Sequence, residues 1–264
     1  MNKKALIISI LTIFSLVNFG YAVEQPGEEL KEAGLDTKQG TQVNLNLEFT
    51  TSSGEKKALK DIVSGKKPIL VTPVYYDCPR LCGLLLTGAS KLFNEINLKM
   101  GDEYEILTVS FNPEETPELA KKRELEYKKK ITRTDVNTDG WHFLVGTKEN
   151  ISVLMTQIGF KYFKDQDEYA HTAAIIVLTA QGEISQYFTG IDFSSWDSRL
   201  AIIEASQGKV GSVIDHFLLY CFRYDHAQGK YTWAVFNLIR VVGLASIVLL
   251  FTVVFWAARK NRLS

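Results

Sequence analysis

Pro68-Ile69-Leu70-Val71-Thr72-Pro73-Val74-Tyr75-Tyr76-Asp77-Cys78-Pro79-Arg80-Leu81-Cys82 is the stretch on which the fold turns. Its first seven residues are a short apolar run of the buried-strand type. Proline suits the first position of a helix, so Pro79 predicts Cys78 as the cap of a helix running through Leu84, Leu85, Leu86, Leu92 and Phe93. Both cysteines then sit at a strand-to-helix junction. A sulfur there lies beside unpaired backbone N–H groups and the positive end of the helix dipole, and both favour thiolate over thiol. Cys82 is four residues on, so within one helix it shares a face with Cys78, and the two sulfurs can share a metal or a disulfide.

Outward from this junction, Val43 to Phe49 alternates apolar and polar residues and reads as a strand, followed by turn chemistry from Thr50 to Lys57. Tyr104 to Phe111 is another strand, and Thr116-Pro117-Glu118 caps a helix that runs into Lys128-Lys129-Lys130, with end charges that suit the dipole. Trp141 to Val145 is a strand. Thr147 caps a helix with Ile151, Leu154 and Ile158 on one face, and Gly159 ends it. Strands near Ala173 to Leu178 and Ile184 to Phe188 precede a helix from Ser194 to about Ser206. The order βαβαβαββα predicts an α/β fold, a mixed sheet flanked by helices.

The chain has 264 residues, 46% of them hydrophobic, enough for one well-filled domain with additional segments at its ends. Its 30 basic and 30 acidic side chains cancel, so no global field gathers phosphates, and nucleic acid is not an expected partner. Three cysteines are too few for a disulfide scaffold, and an odd count leaves one outside any intrachain pair. Lys3 and Lys4, the apolar run from Ala5 to Phe19 and Gly20-Tyr21-Ala22 read as a secretory signal over residues 1–22, the alternative being an uncleaved amino-terminal anchor for which the run is short. A polar lead at 23–40, a domain at 41–208 and a connector at 209–232 follow. Residues 233–258 read as a transmembrane helix with Trp233 and Trp256 at its interfaces, and 259–264 as a cytoplasmic basic tail containing Arg259, Lys260 and Arg262. The expected location is the inner membrane, single pass, with the domain on the oxidising periplasmic side and the bilayer as a partner of the C-terminal helix.

Two soft thiolates alone select Cu(I), zinc or similar ions, and one added imidazole makes a three-ligand site that copper can use in both oxidation states. Of four histidines, His171 stands ahead of a predicted central strand, on the edge where a βα sheet gathers its loops, and is the chosen third ligand. His142 reads as a structural strand residue. His216 and His226 flank Cys221 at spacings of five that do not line one helical face, as suits a juxtamembrane connector. A purely structural disulfide is the bland alternative for Cys78 and Cys82, but so short a loop constrains little entropy.

At this point the residues resemble a known family, the Sco/SenC proteins. The match runs from about Asn44 to Ser206 and includes the strand and turn from Leu45 to Gly54, Pro68-Ile69-Leu70-Val71, the Tyr-x-x-Cys-Pro-x-x-Cys core at Tyr75 to Cys82, Ser110-Phe111-Asn112-Pro113-Glu114-Glu115-Thr116-Pro117, and His171 ahead of an apolar strand. The resemblance implies a thioredoxin-like fold and a copper-binding metallochaperone for the CuA centre of cytochrome c oxidase. Cys78, Cys82 and His171 would hold Cu(I) or Cu(II), with Cys78 and Cys82 also a redox-active pair. The implied partners are the copper-receiving oxidase subunit and an upstream copper donor or thiol reductant. The alternative is an enzyme-like thiol–disulfide reductase that keeps the target cysteines reduced. Gly83 departs from the second proline of many members, Asn112 from the usual aspartate, and the span lies at the opposite end from the usual anchor. An ordinary thioredoxin fits less well. Three residues separate the cysteines, and no proline follows Pro117 to provide the usual cis-proline.

Overall fold

Ile69–Val74 is buried at all six positions, the mark of a strand covered on both faces. It lies at the middle of a computed structural model that describes residues 33–166 and 168–210, short pieces at 224–225 and 230–231, and scattered positions between 243 and 252. In chain order the domain contains β1 (Gly34–Leu35), β2 (Glu48–Thr51), β3 (Lys56–Ala58), α1 (Leu59–Ile62), β4 (Ile69–Val74), α2 (Leu81–Glu95), β5 (Glu105–Ser110), α3 (Pro117–Lys128), β6 (Trp141–Val145), α4 (Lys148–Gln157), β7 (Phe160–Asp165), β8 (Glu168–His171), β9 (Ala174–Leu178), β10 (Ile184–Thr189) and α5 (Ser195–Ser206).

The principal sheet has seven strands in the order β10-β9-β4-β5-β6-β2-β3. β4, β5 and β6 are parallel and joined by the crossover helices α2 and α3, while β9 and β2 pair antiparallel on either side. The sheet is therefore mixed and helix-flanked, as the element order predicts. Thr116, Thr147 and Ser194 each cap a helix by accepting an N–H from the third residue on, as their sequence positions indicate. Trp141, Tyr104, Phe49, Phe93, Phe111 and Phe143 are among the largest fully buried side chains. Each removes about 150–250 Å² from water, at about 25 cal/mol per Å² a gross gain of several kcal/mol. The exposed Lys56–Glu48 ion pair, by comparison, contributes at most about 1 kcal/mol, so the core dominates.

Two details aim the sheet at the site. Pairing between β4 and β9 covers Ile69 to Val71 and then stops. Pro73 points to that same unpaired side, so its missing N–H costs no ladder bond. The Tyr76 hydroxyl stands between β5 and β6. It lies 2.9 Å from the Thr108 carbonyl and 3.0 Å from that of Leu144, and it accepts the Leu144 N–H at 3.0 Å.

Two sequence expectations need correction, and one element was not foreseen. Val43, Leu47 and Phe49 are buried as the alternation implies, but Val43 to Phe49 is not one strand. The Asn44 side chain accepts the Asn46 N–H at 3.0 Å, and this local turn delays pairing to Glu48. The helix after the cysteine loop begins at Leu81 with Arg80 as N-cap, so Cys78 is not its cap residue. The β7–β8 hairpin had no counterpart in the sequence reading. Gly34 and Leu35, from the stretch read as polar lead, pair with β7.

Residues 1–22, Cys221, His216, His226 and most of 233–258 lie outside the described residues. Among those described, no helix is long and apolar enough to cross a membrane.

Replacing Tyr76 with Phe strands the Leu144 N–H and the Thr108 carbonyl in the core. The expected loss is about 1–3 kcal/mol, read as a lower urea midpoint at unchanged m-value. An unshifted midpoint would show that the wedge between β5 and β6 is dispensable.

Candidate metal centre

The site forms where β4 runs out. After Val74 the chain turns, with the Cys78 N–H donating to the Tyr75 carbonyl at 3.3 Å. Cys82 is the second residue of α2 and is buried, while Cys78 lies in the loop before it and is half-buried. The Cys78 sulfur nevertheless accepts the Cys82 N–H at 3.4 Å, taking up one of the free donors of the first helical turn from a position outside the helix. The Cys82 sulfur accepts the Tyr75 N–H at 3.3 Å. Neither of the two is in a disulfide.

His171 comes from the other side. It ends β8, which pairs antiparallel with β7 in a three-stranded sheet that also contains β1. Three residues later, at Ala174, the chain enters β9, so the hairpin hangs beside the end of the central sheet. Its hold is mainly aromatic. The imidazole centroid lies 5.1 Å from that of Phe111, 5.8 Å from Tyr75 and 6.2 Å from Phe160. The Tyr169 hydroxyl reaches Asn112 Oδ1 at 3.4 Å, at the position where the family resemblance leads one to expect an aspartate. An exposed Arg80–Glu168 contact adds little.

His171 Nδ1 lies 2.8 Å from the Thr172 carbonyl. A carbonyl only accepts, so Nδ1 carries the proton, and Nε2 turns its lone pair to the Cys82 sulfur 3.4 Å away. Cys78 Sγ, Cys82 Sγ and one imidazole nitrogen all lie within 4.8 Å of one another. The three donors are thus close enough together to be offered to one soft cation, two thiolates and an imidazole being a set that suits copper.

The two sulfurs are electrostatically unequal. A hydrogen bond from Cys82, helped by those from the Cys82 and Arg80 backbone, lowers the Cys78 thiol to about 3 against the cost of burial. Burial, and then the neighbouring Cys78 thiolate, push Cys82 far up. One thiolate and one thiol thus face each other. Burial and a hydrogen bond to the Cys78 sulfur likewise keep the Tyr75 phenol protonated.

The three residues chosen from sequence are therefore brought together. His142 sits on β6 opposite Leu107 and is outside this group. The sequence reading missed Tyr75 and Glu115. Tyr75 is one more apolar residue at a strand end, and Glu115 one of two adjacent glutamates, with no local signal to separate it from Glu114.

The inequality of the sulfurs predicts selective alkylation. At about pH 5.5, where an ordinary thiol is roughly 0.1% ionised, Cys78 should still react with iodoacetamide while Cys82 stays unmodified, as peptide mass mapping would read. Equal, slow modification of both would contradict the thiolate assignment.

Residues 36–208 match the family model described as SCO1/SenC. No curated protein matches the sequence. One similar solved structure, from Aquifex aeolicus VF5 and named as a proposed electron transfer protein, is 24% identical with a TM-score of 0.57, over 65% of this chain and 96% of that one. Copper-bound ScoI of Arabidopsis thaliana is 14% identical with a TM-score of 0.50, over 65% and 99%. BsSco, described as a member of the Sco family of cytochrome c oxidase assembly proteins with a disulfide switch, is 16% identical with a TM-score of 0.50, over 66% and 99%. At these identities the likeness establishes the thioredoxin-like fold. Because the family model spans more than half of the 264 residues, the chain belongs to the SCO1/SenC family.

Proposed function

We propose that this protein binds copper through Cys78, Cys82 and His171 and delivers it to the CuA centre of a respiratory cytochrome c oxidase. The observation that carries the reading is the convergence of two sulfurs and a correctly polarised imidazole within 4.8 Å, from elements 89 residues apart. Thiolates suit Cu(I), and the imidazole makes the same site usable for Cu(II). Family membership and the copper-bound ScoI relative support copper as the cargo. The signal-like start and the apolar run at 233–258 favour a domain held on the periplasmic face of the inner membrane by its C-terminal helix, beside the oxidase subunit that would receive the metal.

The unequal sulfurs favour a second reading, a thiol–disulfide reductase for the target's own cysteines. The Cys78 thiolate attacks one sulfur of the target disulfide, forming a mixed disulfide and releasing the other sulfur as thiolate. Cys82 passes its proton to the released thiolate and displaces the second target sulfur, which takes a proton from water. The target leaves as a dithiol with two electrons gained, and the Cys78–Cys82 disulfide is reset by an upstream thiol reductant.

Anaerobic copper titration of the reduced full-length chain separates these roles. His171→Ala should weaken copper by more than about 100-fold and remove the wild-type thiolate-to-Cu(II) charge-transfer spectrum, yet leave reduction of a target disulfide intact. Unchanged copper affinity would sink the delivery reading. Cys78→Ser should abolish both activities.

Copper affinity should also depend on pH in a definite sense. Cys78 is already ionised and Cys82 is not, so metal binding releases the Cys82 proton. Between about pH 8 and 9, where a free imidazole is neutral, affinity should rise about tenfold per pH unit, as competition with a chelator of known pH behaviour would measure. A flat profile would mean that Cys82 does not ligate as thiolate.

A further inference from the structure

The backbone that carries Cys78 is gripped by side chains that the copper reading does not use. β4 ends at Val74, so the N–H groups of Tyr76 and Asp77 have no strand partner. Both donate to the Glu115 carboxylate, Tyr76 to Oε2 and Asp77 to Oε1, each at 2.8 Å. The Ser110 hydroxyl, from the last residue of β5, donates to Oε2 at 2.5 Å. From α3, Arg123 Nε donates to the Tyr76 carbonyl at 2.7 Å. The neighbouring Glu114 is exposed, whereas Glu115 is half-buried beneath the loop. Burial raises the Glu115 carboxyl above its ordinary range, opposed by its three donors.

We propose that Glu115, with Arg123 on the far side of the same residue, is the positioning residue of the copper centre. It fixes the peptide units before Cys78 so that the sulfur waits beside Cys82 and His171 instead of being ordered when metal arrives. The inference rests on the copper reading above. Ordering even one backbone residue at the moment of binding weakens affinity about tenfold, and the partners that orient ligands are worth about 10- to 100-fold in metal affinity.

The test compares full-length wild type with Glu115→Gln, Glu115→Ala and Glu114→Gln. Glu115→Gln keeps the side-chain volume but loses one of the two acceptors. Glu115→Ala loses both, and Glu114→Gln removes the same charge one residue away. Copper affinity by chelator competition, the thiolate-to-Cu(II) absorption band and the unfolding midpoint are measured for each. Glu115→Gln should weaken copper about tenfold and shift the band, Glu115→Ala should do more, and Glu114→Gln should match wild type.

Wild-type affinity and spectrum in both Glu115 variants, even with a lowered midpoint, would reduce Glu115 to a structural staple and overturn the proposal. Equal weakening in Glu114→Gln would also overturn it, by making the effect one of charge. If Glu115→Ala does not fold, Glu115→Gln carries the comparison. If wild type itself shows no thiolate-to-Cu(II) band, the copper reading has failed. The positioning inference is then decided on metal-free protein by the Cys78–Cys82 equilibrium with glutathione: a shift in Glu115→Gln upholds it, and an unshifted equilibrium overturns it.

Discussion

Where the central strand stops, three consecutive backbone N–H groups lose their partners, and the way they are satisfied shapes everything above them. The Tyr75 N–H turns to the Cys82 sulfur, while those of Tyr76 and Asp77 turn to Glu115. Tyr75 and Tyr76 are buried, and buried donors are costly to leave unmade. The chain meets the requirement by bringing the first turn of α2 and the segment ahead of α3 against the same loop. The cysteine pair is thus built into the sheet's own hydrogen-bond accounting, which makes its geometry a property of the fold rather than of a free loop.

The imidazole is held by different physics. His171 arrives on a hairpin that belongs to a separate small sheet, and its position depends on contacts among Tyr75, Phe111, Phe160, Tyr162 and Tyr169. Aromatic pairs of this kind contribute about 0.5–1.5 kcal/mol each beyond the area they bury, and they exclude water. The Thr172 carbonyl then selects the tautomer. One half of the centre is positioned by directional hydrogen bonds and the other by packing, and the two meet between Cys82 Sγ and His171 Nε2.

Electrostatics divides the roles of the sulfurs within that frame. Cys78 is half-buried and ionised at ordinary pH, Cys82 buried and protonated. The same asymmetry serves either chemistry. A thiolate is ready to take a soft cation or to attack a disulfide, and the partner thiol completes either act by losing a proton.

Much of this is legible in the sequence. Unbroken apolar runs indicated the buried strands, since parallel strands covered on both faces need apolar residues at every position. Thr116, Thr147 and Ser194 marked helix starts because a capping hydroxyl acts within three residues. Cys78, Cys82 and His171 were identifiable as donors because their chemistry is intrinsic to the side chains. What failed was set by competition or distance. Asn44 redirected a strand-like pattern into a turn, the cysteine loop postponed the helix by two residues, and the β7–β8 hairpin, whose half-exposed residues carry no clean period, went unseen. Tertiary structure alone decided that His171 faces Cys82 through Nε2, that Glu115 rather than Glu114 bonds the loop, and that one sulfur is charged while the other is not. Each of these depends on groups far apart in the chain, where local sequence has no purchase and only the folded arrangement brings the atoms within bonding reach.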